Sequence, residues 1–212
     1  MVKKIFLEDP YQKTCKAIIT QIDENKIQLD QTIFYAFAGG QISDIGTIGK
    51  KQVLQAVKIS DSGIEYELEN TDSLNIGDEV NIVIDWEHRY NLMKLHSAQH
   101  VVADLFEQIT GINTTLGSNV RANKATLTYP TDEPLIEILK EVEEKVNQFI
   151  KENHEVKRFV SDLDSNRWVY ECGEFSCPCG GTHVKNTSEI GDVKLKRKSG
   201  GKGKETIEII LE

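Results

Sequence analysis

Two pairs of residues restrict this chain more than anything else in it. Histidine is scarce, with five in 212 residues. Two of them, His96 and His100, stand in His96-Ser97-Ala98-Gln99-His100. That run sits in a stretch with helical apolar spacing, so both imidazoles fall on one helix face, one turn apart. The second pair lies in Cys177-Pro178-Cys179-Gly180-Gly181-Thr182-His183, where Cys179 precedes His183 by four residues. Brought alongside the histidine pair, Cys179 and His183 complete a tetrahedral nitrogen and sulfur set, which is zinc chemistry. Gly180 and Gly181 between them allow a tight path that turns both side chains to one point.

A rival set exists within one segment: Cys172, Cys177, Cys179 and His183. It is the weaker reading. Cys-x-Cys spacing is poor for two ligands of one tetrahedral ion, and the set leaves His96 and His100 unexplained. Cys177 is therefore read as a thiol behind the ligands or without a metal role, and His88 and His154 as solvent-facing. Four protein ligands usually close a structural site, whereas catalysis needs an open position. Which ligand would yield is not set by the sequence. The chain carries no Gly-x-Ser-x-Gly elbow and no Walker-type phosphate loop, and its His-x-x-x-His lacks the glutamate of a metalloprotease helix.

The apolar fraction of 39% and charged fraction of 28% are those of an ordinary globular protein. No apolar run approaches the roughly 20 residues that cross a bilayer. Glu8 and Asp9 interrupt the N-terminal apolar run too early for a signal peptide, so a cytoplasmic setting is expected. There, clustered cysteines point to metal or reduced thiols rather than disulfides. The net charge of −9 argues against general attraction to nucleic acid, but binding follows local charge. Lys194, Lys196, Arg197, Lys198, Lys202 and Lys204 form a window without an acid, threaded by Ser199-Gly200-Gly201. Such a basic, glycine-bearing hairpin suits a phosphate backbone.

The expected fold class is α+β, with a small β-barrel-like domain over residues 1–87 and an α+β domain over 88–212. In the first, Lys16–Ile19 and Lys26–Leu29 flank the turn Asp23-Glu24-Asn25. Val53–Ile59 and Ile64–Leu68 flank Asp61-Ser62-Gly63, and Val80–Ile84 alternates as a strand. A glycine-bearing motif runs from Phe34-Tyr35 through Gly39-Gly40-Gln41 to Asp44 and Gly46. The second half opens with a helix over Trp86–Ile109, capped by Asp85 and ended by Gly111. A strand at Ala125–Tyr129 follows. A second helix is expected from Glu133 to about Asn153, capped by Thr131 and Asp132, and then strands at Val156–Val160, from Val193, and at Thr206–Leu211.

The two metal motifs, together with Val184 and Asn186-Thr187-Ser188-Glu189-Ile190-Gly191, resemble the editing domain of alanyl-tRNA synthetase. The resemblance is strongest to the free-standing AlaX-type editing proteins, and a related domain occurs in threonyl-tRNA synthetase. The Phe34–Gly46 motif resembles that family's glycine-rich motif, so the match spans nearly the whole chain. It departs at Ala36, Ala38 and Ile42, where the family commonly has proline, glycine and proline.

The resemblance implies hydrolysis of the ester that joins a wrong amino acid, serine or glycine, to the alanine tRNA. It implies a zinc ion on His96, His100, Cys179 and His183. Thr115, with Thr114 beside it, would contact the mischarged amino acid, and Gly39, Gly40 and Gln41 belong to the substrate-binding motif. The regions of a synthetase that charge tRNA are missing from the sequence, so charging is not expected. The main rival is a zinc-stabilised tRNA-binding module without turnover. A zinc-dependent hydrolase of a small ester is a third reading, which the clustered lysines disfavour.

Overall fold

A computed structural model describes residues 2–60, 63–162 and 167–212. Its chain divides into two compact units, Met1–Tyr90 and Asn91–Glu212. The expected turn residues Asp61 and Ser62 lie outside the described residues.

The first unit opens with β1 (Lys3–Lys4) and α1 (Ile5–Glu8), followed by β2 (Thr14–Asp23), β3 (Lys26–Leu29) and β4 (Gln31–Thr32). After the glycine-bearing motif come β5 (Gly46–Ile48), β6 (Lys51–Ser60), β7 (Gly63–Leu68) and β8 (Glu79–Ile84). Six strands close into a barrel in the order β2-β3-β7-β6-β5-β8. Strict alternation drives the closure. In β7, Ile64, Tyr66 and Leu68 are buried, and in β8 Val80, Ile82 and Ile84 are, while Glu79, Asn81 and Val83 face out. Gly46 sits where β5 crowds β8: a Cβ there would meet the Val83 carbonyl oxygen at 2.2 Å.

The motif after β4 is held by a buried ion pair that the sequence did not announce. The Asp44 carboxylate accepts the Tyr35 N–H at 2.6 Å and the Arg89 Nε–H at 2.7 Å. Arg89 Nη2 also bonds Asp44, and the rest of its guanidinium reaches the Pro10 carbonyl at 2.9 Å and the Ile33 carbonyl at 2.6 Å. Arg89 is fully buried with each of its three side-chain nitrogens bonded to oxygen, which is the condition under which a charge can leave water. Gly39 and Gly40 adopt left-handed backbone (φ 57° and 91°), and the Tyr35 hydroxyl donates to Ala38 O across the loop. His88, expected to face solvent, instead places Nε2 3.1 Å from the Ser43 carbonyl.

Helix α2 (Trp86–Thr110) starts in the first unit and continues in the second. Its start is as expected: Asp85 Oδ1 accepts the His88 N–H at 3.0 Å. Gly111, at φ 74°, ends it by donating to the Glu107 carbonyl. The second unit then runs β9 (Gly117–Arg121), β10 (Lys124–Tyr129), α3 (Ile136–Lys151), β11 (Val156–Val160), β12 (Trp168–Cys172), β13 (Phe175–Pro178), β14 (Val193–Ser199) and β15 (Glu205–Leu211). Two antiparallel sheets result, β14-β15-β10-β9 and β11-β12-β13.

Helix α3 starts later than Glu133. Pro134 disfavours helical backbone at the residue before it. The expected caps are committed elsewhere: Thr131 Oγ1 accepts the Glu133 N–H, and Asp132 Oδ1 accepts the Gly203 N–H at 2.7 Å. The stripe Leu139, Val142, Val146 and Ile150 is buried as its spacing predicts. The same helix seals the edge of β14. Asn147 exchanges two hydrogen bonds with the Val193 backbone, and Glu143 accepts the Leu195 N–H at 2.7 Å. Among the described residues no helix is long and apolar enough to cross a membrane.

Candidate metal centre

His96 and His100 project from the same face of α2 because 3.6 residues make a turn. Cys179 and His183 lie just beyond β13, and the Cys179 N–H is fixed to the Trp168 carbonyl at 2.9 Å. One ligand atom from each of these four residues falls within 4.8 Å of the others. Cys179 Sγ lies 3.2 Å from His183 Nε2 and 3.6 Å from His96 Nε2. Among the described residues, His100 Nε2 is buried without a hydrogen-bond partner. A buried, unsatisfied imidazole nitrogen is costly unless something else takes its lone pair. The four side chains thus fit a metal ion.

Their surroundings prepare them for one. Burial holds the imidazole pKa values down: His100 falls to about 4, and His96 and His183 lie well below the usual range. Neutral imidazoles keep a lone pair for a cation. The Cys179 thiol is pushed up by burial, while the Gly181 N–H, 3.4 Å from Sγ, and the charge of Arg158 pull it back toward thiolate. Ser97 Oγ accepts the Val184 N–H at 3.2 Å and lies 3.2 Å from His183 Nδ1, so it fixes the ring from behind. Gln99 Nε2 donates to the Asn119 carbonyl at 3.1 Å and the Thr126 carbonyl at 2.9 Å. It ties α2 to the hairpin β9–β10 between the two histidine turns.

Cys172 and Cys177 are outside the group of four. Cys177 Sγ lies 3.3 Å from His100 Nδ1, across the ring from the unpartnered nitrogen, and burial pushes its thiol up to about 12. Tyr170 stacks on His100 with ring centroids 4.5 Å apart. No spacing rule pointed to Ser97, Tyr170 or Arg158. His154, expected to face solvent, is partly exposed: its ring stacks on Phe149 at 3.9 Å and its Nε2 meets Glu152 at 2.9 Å. Gly180 has open space where a Cβ would stand, so crowding does not require glycine there.

The other expected site residues lie on other elements. Thr114 and Thr115 are exposed on the segment between α2 and β9, with the Thr114 hydroxyl on Asn113 Oδ1. Gln41 is buried in the first unit. In the basic hairpin, Lys194 is paired with Glu143 at 2.6 Å and Arg197 with Glu205 at 2.5 Å. Lys196, Lys198, Lys202 and Lys204 are exposed and have no ion pair among the described residues.

Residues 169–208 match the family described as "Threonyl and Alanyl tRNA synthetase second additional domain", and residues 2–88 match "tRNA synthetases class II (A)". Fold, site and these matches define a class, the synthetase-related editing proteins. Full-length similarity narrows it. The chain is 35% identical to the alanyl-tRNA editing protein AlaX-M of Pyrococcus horikoshii, over 100% of this chain and 99% of that protein. It is 30% identical to the AlaX-M of Methanosarcina mazei over 93% of this chain and 91% of the other. It is also 34% identical to an alanine–tRNA ligase of Methanococcus aeolicus, matching 23% of that larger protein. The chain belongs to the AlaX-M family of alanyl-tRNA editing proteins.

Proposed function

We propose that this chain is a zinc-dependent, trans-acting deacylase that removes serine or glycine from wrongly charged alanine tRNA. The observation that carries the reading is the gathering of three buried imidazoles and one thiol in a chain that matches AlaX-M proteins end to end. Three nitrogens and one thiolate are a donor set for zinc. Bound zinc would supply Lewis acidity for ester hydrolysis. His96, His100, Cys179 and His183 would hold it, Ser97 would orient His183, and the low pKa values keep the imidazoles ready without prior proton loss.

Thr115 is assigned to the amino-acid side chain, with Thr114 beside it. A hydroxyl there would pair with the serine hydroxyl, a contact that alanine cannot make, which favours release of serine over alanine; glycine would not use this contact. Gly39, Gly40 and Gln41 are assigned to the substrate-binding motif, Gln41 through the shape of the loop since its side chain is buried. The exposed lysines of the β14–β15 hairpin are assigned to acceptor-stem phosphates. Of the six cations there, Lys194 and Arg197 are the least available because each already holds a carboxylate.

The test is a deacylation panel of seryl-, glycyl- and alanyl-tRNA(Ala). Release of serine or glycine faster than spontaneous hydrolysis, with alanine spared, supports the reading. Tight tRNA binding without release of any amino acid identifies a binding module instead.

A further inference from the structure

The sheet β11-β12-β13 carries a row of side chains across one face. Arg158 is paired with Tyr170 in the β11–β12 register, and Tyr170 with Cys177 in the β12–β13 register. Directly paired residues in a sheet project to the same side. Two members of this row already touch the candidate metal centre. Tyr170 stacks on His100 and lies 4.6 Å from the His183 ring, and Cys177 Sγ meets His100 Nδ1. The third member is Arg158. Its guanidinium lies over the Trp168 ring at 5.2 Å, and its Nε and one Nη nitrogen are buried. Its positive charge is felt at Cys179, His96 and His183, and the charge of Asp104 at Cys177 and Tyr170.

Resting on the deacylase reading above, we infer that Arg158 is a catalytic residue, which holds the ester carbonyl oxygen as that oxygen becomes negative. In the reaction, the water oxygen bonds to the carbonyl carbon and the carbonyl electron pair moves onto its oxygen, facing Arg158. The pair then returns, the bond to the terminal ribose oxygen breaks, and that oxygen takes the proton given up by the water. Free amino acid and a tRNA with a free hydroxyl remain. A guanidinium is suited to the charged intermediate because it stays protonated and presents fixed donors. A donor aimed at a developing oxyanion acts on the transition state more than on the bound ester.

The experiment compares wild type with Arg158→Gln and Arg158→Lys. It measures kcat and KM on seryl-tRNA(Ala), bound metal by atomic emission, and calorimetric affinity for two adenosine analogues. One analogue carries a tetrahedral phosphonate in place of the ester, and the other a stable seryl amide. Arg158→Gln should lower kcat about 100-fold with KM within about twofold. It should weaken phosphonate binding by a similar factor, leave amide binding unchanged, and keep its metal. Arg158→Lys should fall between.

A kcat within about twofold of wild type in metal-loaded Arg158→Gln overturns the inference, as does equal weakening of both analogues. If Arg158→Gln loses its metal, Arg158→Lys decides: it must keep the metal and prefer the phosphonate to the amide, and loss of that preference overturns the inference. A wild-type chain that binds both analogues but releases no serine overturns the deacylase reading itself. That result is distinguishable because it appears before any substitution is made.

Discussion

Ser97 Oγ stands 3.2 Å from His183 Nδ1 while accepting the Val184 N–H, so one hydroxyl joins the helix that bears His96 and His100 to the segment that bears Cys179 and His183. A ring nitrogen held from behind fixes which nitrogen faces a metal. Ser97→Ala is expected to weaken zinc affinity by about 10- to 100-fold. Competition with a chromophoric chelator measures this, and unchanged affinity would remove Ser97 from the account.

Asp104 follows His100 by one further turn of α2, and its pKa is raised to about 6, first by burial and second by the charge of Glu107. The sign follows from linkage. Between about pH 4 and 6 the folded chain binds this proton more strongly than the unfolded chain, so the group's contribution to stability declines as pH rises through that window. Above it the chain carries a partly buried carboxylate at a cost. Asp104→Asn should therefore stabilise the chelator-treated protein at pH 8 by about 1 kcal/mol, discounted for its remaining contact with water, and by almost nothing at pH 4. Thermal melts of both proteins across this range test it, and a gain independent of pH would contradict it.

The Asp44–Arg89 pair braces the glycine-bearing loop from inside the first unit. Removing one partner strands a buried charge, so Asp44→Ala or Arg89→Ala should cost about 3–5 kcal/mol in denaturant unfolding. Replacing both by apolar residues of similar size should cost less than either single change. Equal or additive losses would show that the pair is not what braces the loop.

The four exposed lysines without ion pairs among the described residues, Lys196, Lys198, Lys202 and Lys204, should set the salt dependence of tRNA binding. Each Lys→Gln change that removes a phosphate contact lowers the slope of log affinity against log salt by about 0.7–0.9. Lys194→Gln should change it less, because that lysine already faces Glu143. Filter binding from low to moderate salt gives the slopes, and a slope unchanged in the quadruple variant would place the tRNA elsewhere.

How much of this was legible in the sequence depends on how local each signal is. The histidine pair and the Cys–x–x–x–His pair are local patterns, and their side chains converge in the fold. The helix cap at Asp85 and the end at Gly111 are local too. The start of α3 was misread because Thr131 and Asp132 make other bonds, one of them to Gly203 far along the chain. Arg89 and Arg158 escaped for a related reason. An arginine's partners are fixed by strand register and long-range packing, and nothing beside Arg89 in the sequence points to Pro10, Ile33 or Asp44. The closure of the barrel through β5 and β8 is equally non-local.

The central claim is that the four side chains His96, His100, Cys179 and His183 hold a zinc ion on which tRNA deacylation depends. The direct test is the rate of serine release from seryl-tRNA(Ala) by the native protein, by the chelator-stripped protein, and by the stripped protein after zinc is returned, with circular dichroism confirming that the stripped chain stays folded. The account predicts loss of turnover on stripping, recovery on adding zinc, and no recovery in Cys179→Ala. Full turnover in the stripped, folded protein would contradict it.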